Sequence, residues 1–321
     1  MRQTTFASLA WNAKGRTTRR ERFLAEMNAV VPWARLTALI ESHYPKGGSG
    51  RPPMPLERML RIYFMQQWFN LSDPQTEDAL YDIEPMRRFA GIELAEDAIP
   101  DETTILHFRH LLEKHKLTEK IFAEVRTLLE EKRLLLKSGT IVDATIISAP
   151  SSTKNESNSR DPEMQQAKKH GQWYFGMKVH IGASKQGLVH SLATGRAGEA
   201  DITRLDQLLH GQERELYGDQ AYWSRDHWLH CQCAGIDYRV NRRAPPGRTL
   251  TDYQKAVNRS RSARRARGEF AFRVVKRLWG FTMVRYRGLL KNTVRAFALF
   301  ALANLYLARR RLLPRGGHYA L

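Results

Sequence analysis

Three carboxylates in this sequence sit where their neighbours argue against a charge. Asp143 lies inside Thr140-Ile-Val-Asp-Ala-Thr-Ile-Ile147, whose β-branched residues predict a buried strand. A lone carboxylate there is costly unless it is paired or metal-bound. Asp219 follows the short run Leu216-Tyr-Gly218, past a strand end and ahead of a helix, where open α/β sheets place ligand groups. Glu269 is the only acid among eleven basic residues: Arg259, Arg261, Arg264, Arg265, Arg267, Arg273, Lys276, Arg277, Arg285, Arg287 and Lys291. Each has a plainer reading. Asp143 would be a strand-end acid bonded to a loop, Asp219 a turn or N-cap acid, and Glu269 an i,i+4 bracket between Arg265 and Arg273. That bracket explains why the acid is tolerated, not why it is alone. A surface made to attract phosphate does better without an acid unless the acid holds a cation.

Three carboxylates on two strands and a helix can gather round a pair of Mg²⁺ ions, which prefer oxygen ligands and keep waters. Two such ions about 4 Å apart stabilise both the attacking and the leaving oxygen of a phosphodiester displacement. The basic helix that carries Glu269 would meanwhile grip the backbone. At about 100° per residue, Arg265 and Lys276 fall within about 60° of the glutamate on one continuous helix, so all three are expected to face the metal centre.

The elements that must position these acids follow from pattern and punctuation. Residues 1–137 read as all helix after a loose basic start. A helix over Arg19–Ser42 follows Thr18, and a break rich in Gly and Pro follows Tyr44. The apolar run Leu56–Phe69 predicts a core helix. Ser72 and Gln75 match a capping box, Asp101 starts a helix after Pro100, and a last helix spans Thr118–Leu136. From Gly139 the pattern changes to strands at 140–148, 173–183 and 188–194, the last two a hairpin around Ser184-Lys-Gln-Gly187. A helix from Asp201, a strand at 215–219, a helix at 224–234 and a strand at 236–241 follow. Residues 149–169 and 244–258 read as loops, Arg261–Trp279 as a basic helix and Leu289–Arg311 as an apolar one. The class is α/β with a mixed sheet, preceded by an all-helical domain. The expected divisions are 1–137, 138–311 and a tail at 312–321.

Composition narrows the partner. Lys and Arg number 52 against 33 Asp and Glu, a net of +19, which calls for a polyanion, nucleic acid before an anionic membrane. The longest apolar stretch, Ala296–Ala308 with Asn304 inside it, is shorter than the roughly 20 residues a bilayer needs. Met1–Leu9 carries no signal h-region. Cys231 and Cys233 cannot staple distant elements and point to a reducing compartment. With His227 and His230 they do not make a trustworthy zinc spacing.

Five blocks in order resemble the DDE transposases of bacterial insertion sequences, in the group related to insertion sequence five with an InsH-type helical N-terminal domain. They are Pro100-Asp-Glu-Thr-Thr-Ile-Leu-His-Phe-Arg-His-Leu-Leu-Glu113, Ile141-Val-Asp-Ala-Thr-Ile-Ile147, Trp173-Tyr-Phe-Gly-Met-Lys-Val-His-Ile-Gly182, Gly218-Asp-Gln-Ala-Tyr222 and Arg285-Tyr-Arg-Gly-Leu-Leu-Lys-Asn292. The third-acid signature Y-x2-R-x3-E-x6-K is met by Arg265, Glu269 and Lys276, but Ser262 stands at the tyrosine. The resemblance implies an RNase H-like catalytic domain in which Asp143, Asp219 and Glu269 are catalytic ligands of Mg²⁺ or Mn²⁺. It implies cleavage at element ends and transfer of 3′-hydroxyls into target DNA. Arg265, Lys276, Arg273, Arg285, Arg287 and Lys291 would bind DNA. The N-terminal helices would help bind terminal inverted repeats on double-stranded DNA, and two element ends imply a homodimer or higher oligomer, in the bacterial cytoplasm on the nucleoid. Two rivals share these features: an RNase H-like metal-dependent nuclease that does not join, and a DNA-binding transposase derivative without catalysis. For Trp223, beside the second acid, packing under the sheet is the expectation, with stacking on a displaced base the alternative.

Overall fold

The computed structural model describes residues 13–48, 52–154, 156, 158–169, 171–245 and 247–313. The basic start, part of the Gly/Pro break after Tyr44 and the tail from 314 lie outside the described residues. The chain divides into two compact units, residues 1–117 with 308–321, and residues 118–307.

The first unit is helical. Thr18 caps α1 (Arg19–Val30) in a reciprocal box with Glu21. The single helix expected to run on to Ser42 is instead two, because Pro32 lacks the N–H that continuation needs; α2 (Trp33–Glu41) starts behind it. Nine residues of α3 (Leu56–Phe69) are buried, as its apolar run requires. Trp33, Phe64, Trp68 and Phe89 pack around it with ring centroids 5.5 to 6.1 Å apart. Ser72 and Gln75 form the expected box on α4 (Asp73–Asp82), and α5 (Glu84–Ala90) follows. Asp101 caps α6 (Glu102–Lys114) by accepting from the Thr104 N–H at 2.7 Å. Buried Arg109 of that helix pairs with Asp73 at 2.9 Å and Glu113 at 3.1 Å.

The border at 117/118 falls earlier than the division expected after 137. The physical reason is α7 (Leu117–Glu131), whose contacts are with the second unit: Phe122 meets Phe297 edge to face, and Arg126 donates to the His190 carbonyl.

The second unit is a six-stranded mixed sheet. The strands are β1 (Thr140–Ser148), β2 (Gln165–Lys169), β3 (Gln172–Ser184), β4 (Val189–Arg196), β5 (Glu215–Gly218) and β6 (Asp237–Val240). β1 is antiparallel to β3 and parallel to β5, β5 is parallel to β6, and β2 and β4 pair with β3. Strand β2 corrects the loop expected over 149–169. Its sequence, Gln-Gln-Ala-Lys-Lys, is polar because it is an exposed edge, where no apolar alternation is needed.

Alternation along β1 sends Val142 and Ala144 to one face and Ile141, Asp143 and Thr145 to the other. The first face joins an apolar core with Leu205, Leu208, Tyr222, Cys231 and Tyr238, from α8 (Leu205–Leu208), α9 (Arg225–Cys233) and their neighbours. The second face meets α10 (Asp252–Arg265), α11 (Glu269–Arg273) and a π turn (Val274–Leu278). The apolar α12 (Leu289–Leu312) packs Phe300 on Phe272, and buried Asn304 bonds both the N–H and the carbonyl of Val189.

Candidate active site

Asp143 and Asp219 meet because their strands are parallel neighbours. The ladder pairs Ile141 with Tyr217, so continuing it two residues brings Asp143 level with Asp219. Adjacent strands lie about 4.8 Å apart. Gly218 makes the approach possible: a Cβ there would stand 3.0 Å from the Val142 side chain and 3.2 Å from Tyr222. Asp219 then turns the chain out of the sheet, its carboxylate accepting from the Ala221 N–H at 2.9 Å.

Glu269 arrives from the other side, and by a different route from the one expected. The basic helix is not continuous. It starts earlier, at Asp252, where Thr251 and Gln254 form a capping box, and it ends at Arg265. Residues 266–268 turn, and Glu269 opens α11. Gly268 lies in this turn and presses on β1 so closely that a Cβ would lie 2.8 Å from the Ile141 methyl. Lys276 falls in the π turn, so the count of 100° per residue does not apply across the signature.

Electrostatics places the three acids in one field. Burial raises the Asp143 carboxyl from 3.8 to about 6. Arg265 and the Ala144 N–H oppose that rise, while the charges of Asp219 and Glu269 add to it. The Arg265 guanidinium stands 3.5 Å from Asp143, and its buried Nε has no hydrogen-bond partner among the described residues. The bracket of Glu269 between Arg265 and Arg273 is absent among the described residues; Arg265 turns to Asp143 instead. Two further acids of this unit, Glu199 and Asp237, are held by Arg204 and Arg239.

The six basic residues named from the sequence do not act as one row. Lys276 is half-buried and donates to Thr145 Oγ1 and the Ile146 carbonyl, each at 3.0 Å, tying the π turn to the end of β1. Burial, then the charge of Lys169, lowers its pKa. Arg273, Arg287 and Lys291 are exposed, and Arg285 is half-buried beside Arg287 in the loop before α12. Ser262 accepts from the Asn241 amide at 2.9 Å, joining α10 to the end of β6.

Sequence reasoning missed the group beneath the acids. Tyr222 is fully buried, and burial, with Asp201, Asp143 and Asp219 around it, drives its hydroxyl far above the ordinary range. It lies 3.2 Å from His180 Nδ1, and burial lowers the His180 pKa to about 4. The signal was in the sequence: Tyr222 and His180 lie in two of the five blocks. The reading of Trp223 as packed under the sheet is wrong, since it is 47% exposed. Cys231 and Cys233 are both free thiols, and His227 contacts Asp206 and Ser224 instead.

The donor set suits a hard divalent cation. All three acids offer oxygen, and the like charges that raise Asp143 are what a cation would offset. As placed, no three His, Cys, Asp or Glu side chains among the described residues come together closely enough to share one ion. Closure would fall to the exposed Glu269 side chain.

Residues 12–111 match a family described as transposase domain (DUF772), and residues 135–305 match the transposase DDE domain. No solved structure matches the chain. No helix among the described residues is long and apolar enough to cross a membrane. The second match takes in all three acids and more than half of the sequence, and the chain therefore belongs to the DDE transposases of insertion sequences.

Proposed function

We propose that this transposase binds the terminal inverted repeats of its own element, cleaves at the element ends, and joins the freed 3′-hydroxyls to target DNA. The observation that supports the reading is that the charges of Asp219 and Glu269, from two other segments, both act on the buried Asp143 carboxyl, and that Glu269 is the only acid between Arg259 and Lys291 in the sequence. The three carboxylates would hold Mg²⁺ or Mn²⁺, in a pair; the ions would supply charge stabilisation and activation of the attacking oxygen. Gly218 and Gly268 set the depth of the two acids that flank β1. Arg265, with an unused Nε beside Asp143, would swing its guanidinium onto the phosphate at the cut. Lys276 would stiffen the end of β1, and Arg273, Arg285, Arg287 and Lys291 would hold the flanking backbone. The sheet order supports an RNase H-like catalytic fold. The residues of 1–137 would recognise the repeats, with two or more copies in the active complex on the bacterial nucleoid.

The test is a supercoiled plasmid carrying the coding sequence with its natural flanks. Purified protein with Mg²⁺ should nick at both flanks and join the 3′ ends to new sites, read by junction sequencing. Nicking without junctions would reduce the activity to that of a metal-dependent nuclease. Binding with neither would leave a DNA-binding derivative.

A further inference from the structure

Asp219 stands at the head of a short turn that leaves the sheet at the end of β5 and runs to Tyr222. Its carboxylate accepts from the Ala221 N–H at 2.9 Å, which fixes the side chain to the turn but not the turn to the sheet. That second task falls to Tyr222. Its N–H donates to the Asp219 carbonyl at 3.2 Å and closes the turn. Its carbonyl accepts from the Tyr238 hydroxyl of β6 at 2.7 Å. Its own hydroxyl meets His180 Nδ1 of β3 at 3.2 Å. The sheet order is β3, β1, β5, β6, so one residue ties the turn to strands on both sides of β5.

The bond to His180 does more than packing requires. Both residues are fully buried, and a phenylalanine beside a leucine would fill the same core with no polar atoms to satisfy. Satisfaction here is incomplete, since His180 Nε2 is buried with no hydrogen-bond partner among the described residues. A polar pair kept at that cost supplies direction rather than stability, because a hydrogen bond fixes an angle that apolar contact leaves free. It adds no charge beneath the acids: burial keeps the hydroxyl protonated and the imidazole neutral at pH 7. Asp201, whose charge bears on both rings, is answered by Lys178 at 2.7 Å. We propose that Tyr222 and His180 are a positioning pair, whose bond fixes the turn that carries Asp219 and so sets where its carboxylate stands for a cation. Being fully buried, neither touches DNA or the reacting atoms. The inference rests on the metal-dependent reading of the three acids.

Mn²⁺ binding to the full chain, followed by the electron paramagnetic resonance of the free ion, tests this without any turnover. Tyr222→Phe should weaken Mn²⁺ about tenfold and raise the Mg²⁺ needed for half-maximal plasmid nicking by a similar factor, with duplex affinity within about twofold of the wild type. His180→Leu should do the same, and the double variant should be no worse than either alone. His180→Asn, whose amide can stand in for Nδ1, should keep most of the affinity, which a purely structural loss would not allow. Tyr174→Phe, which removes a hydroxyl bonded to Gln172, should change nothing. Thermal melts without metal check that each variant is folded. Wild-type Mn²⁺ affinity in folded Tyr222→Phe, or additive losses in the double variant, overturns the proposal. Should Tyr222→Phe not fold, equal Mn²⁺ affinities in His180→Asn and His180→Leu overturn it instead. Asp219→Asn separates the two claims. If it abolishes Mn²⁺ binding and the Tyr222 and His180 variants do not weaken it, the pair alone fails. If it leaves Mn²⁺ binding unchanged, the metal reading of Asp219 fails and the pair with it. If the variants behave as expected but the wild type joins no ends, the function fails and the pair stands.

Discussion

Both units pair acids with Lys and Arg, but the sheet unit treats one group of carboxylates differently. In the helical unit acids are neutralised within the fold: Arg58 pairs with Asp97, Arg61 with Glu57, Arg87 and Arg88 with Glu84, and Arg109 with both Asp73 and Glu113. In the sheet unit three acids share one field, one of them is raised to about 6, and a single guanidinium answers it at 3.5 Å. The first arrangement is satisfied as it stands and stabilises a fold. The second is unfinished, and an incomplete charge balance is what a metal and a phosphate would complete.

If that contrast is right, substitutions in the two units should fail in different assays. The largest effect belongs to the sheet. Asp143→Asn, Asp219→Asn and Glu269→Gln should each lower plasmid cleavage at least about a thousandfold with no loss of fold stability or of DNA binding. Cleavage near the wild-type rate in Glu269→Gln would remove the third acid from the site. In the helical unit the same chemistry should instead cost stability. Asp73→Asn leaves Arg109, 7% exposed at its side chain, with half its carboxylate partners, and should destabilise by about 3 kcal/mol in a urea titration.

The pH response sharpens the comparison further. Because the folded pKa of Asp143 is raised, its protonated form contributes stability that is fully present below about pH 4 and lost as pH rises through about 6. A shift of this size corresponds to at most about 3 kcal/mol. Asp143→Asn should therefore raise the melting temperature at pH 7 and leave it nearly unchanged at pH 4. Added Mg²⁺ should stabilise the wild type at pH 7 and lose that effect as pH falls below about 6. A pH-independent Mg²⁺ shift would move the ion away from Asp143.

A smaller effect tests the geometry behind the contrast. Gly268→Ala puts a methyl against Ile141, and it should slow cleavage about tenfold, or about 1.4 kcal/mol, by lifting Glu269 away from β1. Ile141→Ala in the same chain, which removes that methyl, should return part of the rate. The smallest effect is expected at Ser262→Ala, which breaks the bond to Asn241 and should cost about 1 kcal/mol of stability.

Much of this was legible in local pattern. The strand around Asp143, the hairpin turning at Ser184–Gly187, the core helix Leu56–Phe69 and the cap at Ser72 all depend on residues within a few positions of each other. The three acids could be singled out for the same reason, since each contradicts its immediate neighbours. The edge strand β2 was missed because an exposed edge carries no alternation to read. The break before Glu269 was missed because the turn packs against Ile141, more than a hundred residues away in the chain. A helical wheel drawn through Arg265, Glu269 and Lys276 assumes a continuity that this turn ends.

The sequence alone was enough to nominate the acids, the mixed α/β class and a polyanionic partner, because charge, periodicity and capping are properties of short windows. Long-range packing settled the rest. Parallel pairing of β1 with β5 sets Asp143 level with Asp219, and the turn before Glu269 packs Gly268 against Ile141. The same packing turned Arg265 toward Asp143 and buried Tyr222 against His180. Each of these joins residues from distant segments, and no window of the sequence contains both partners.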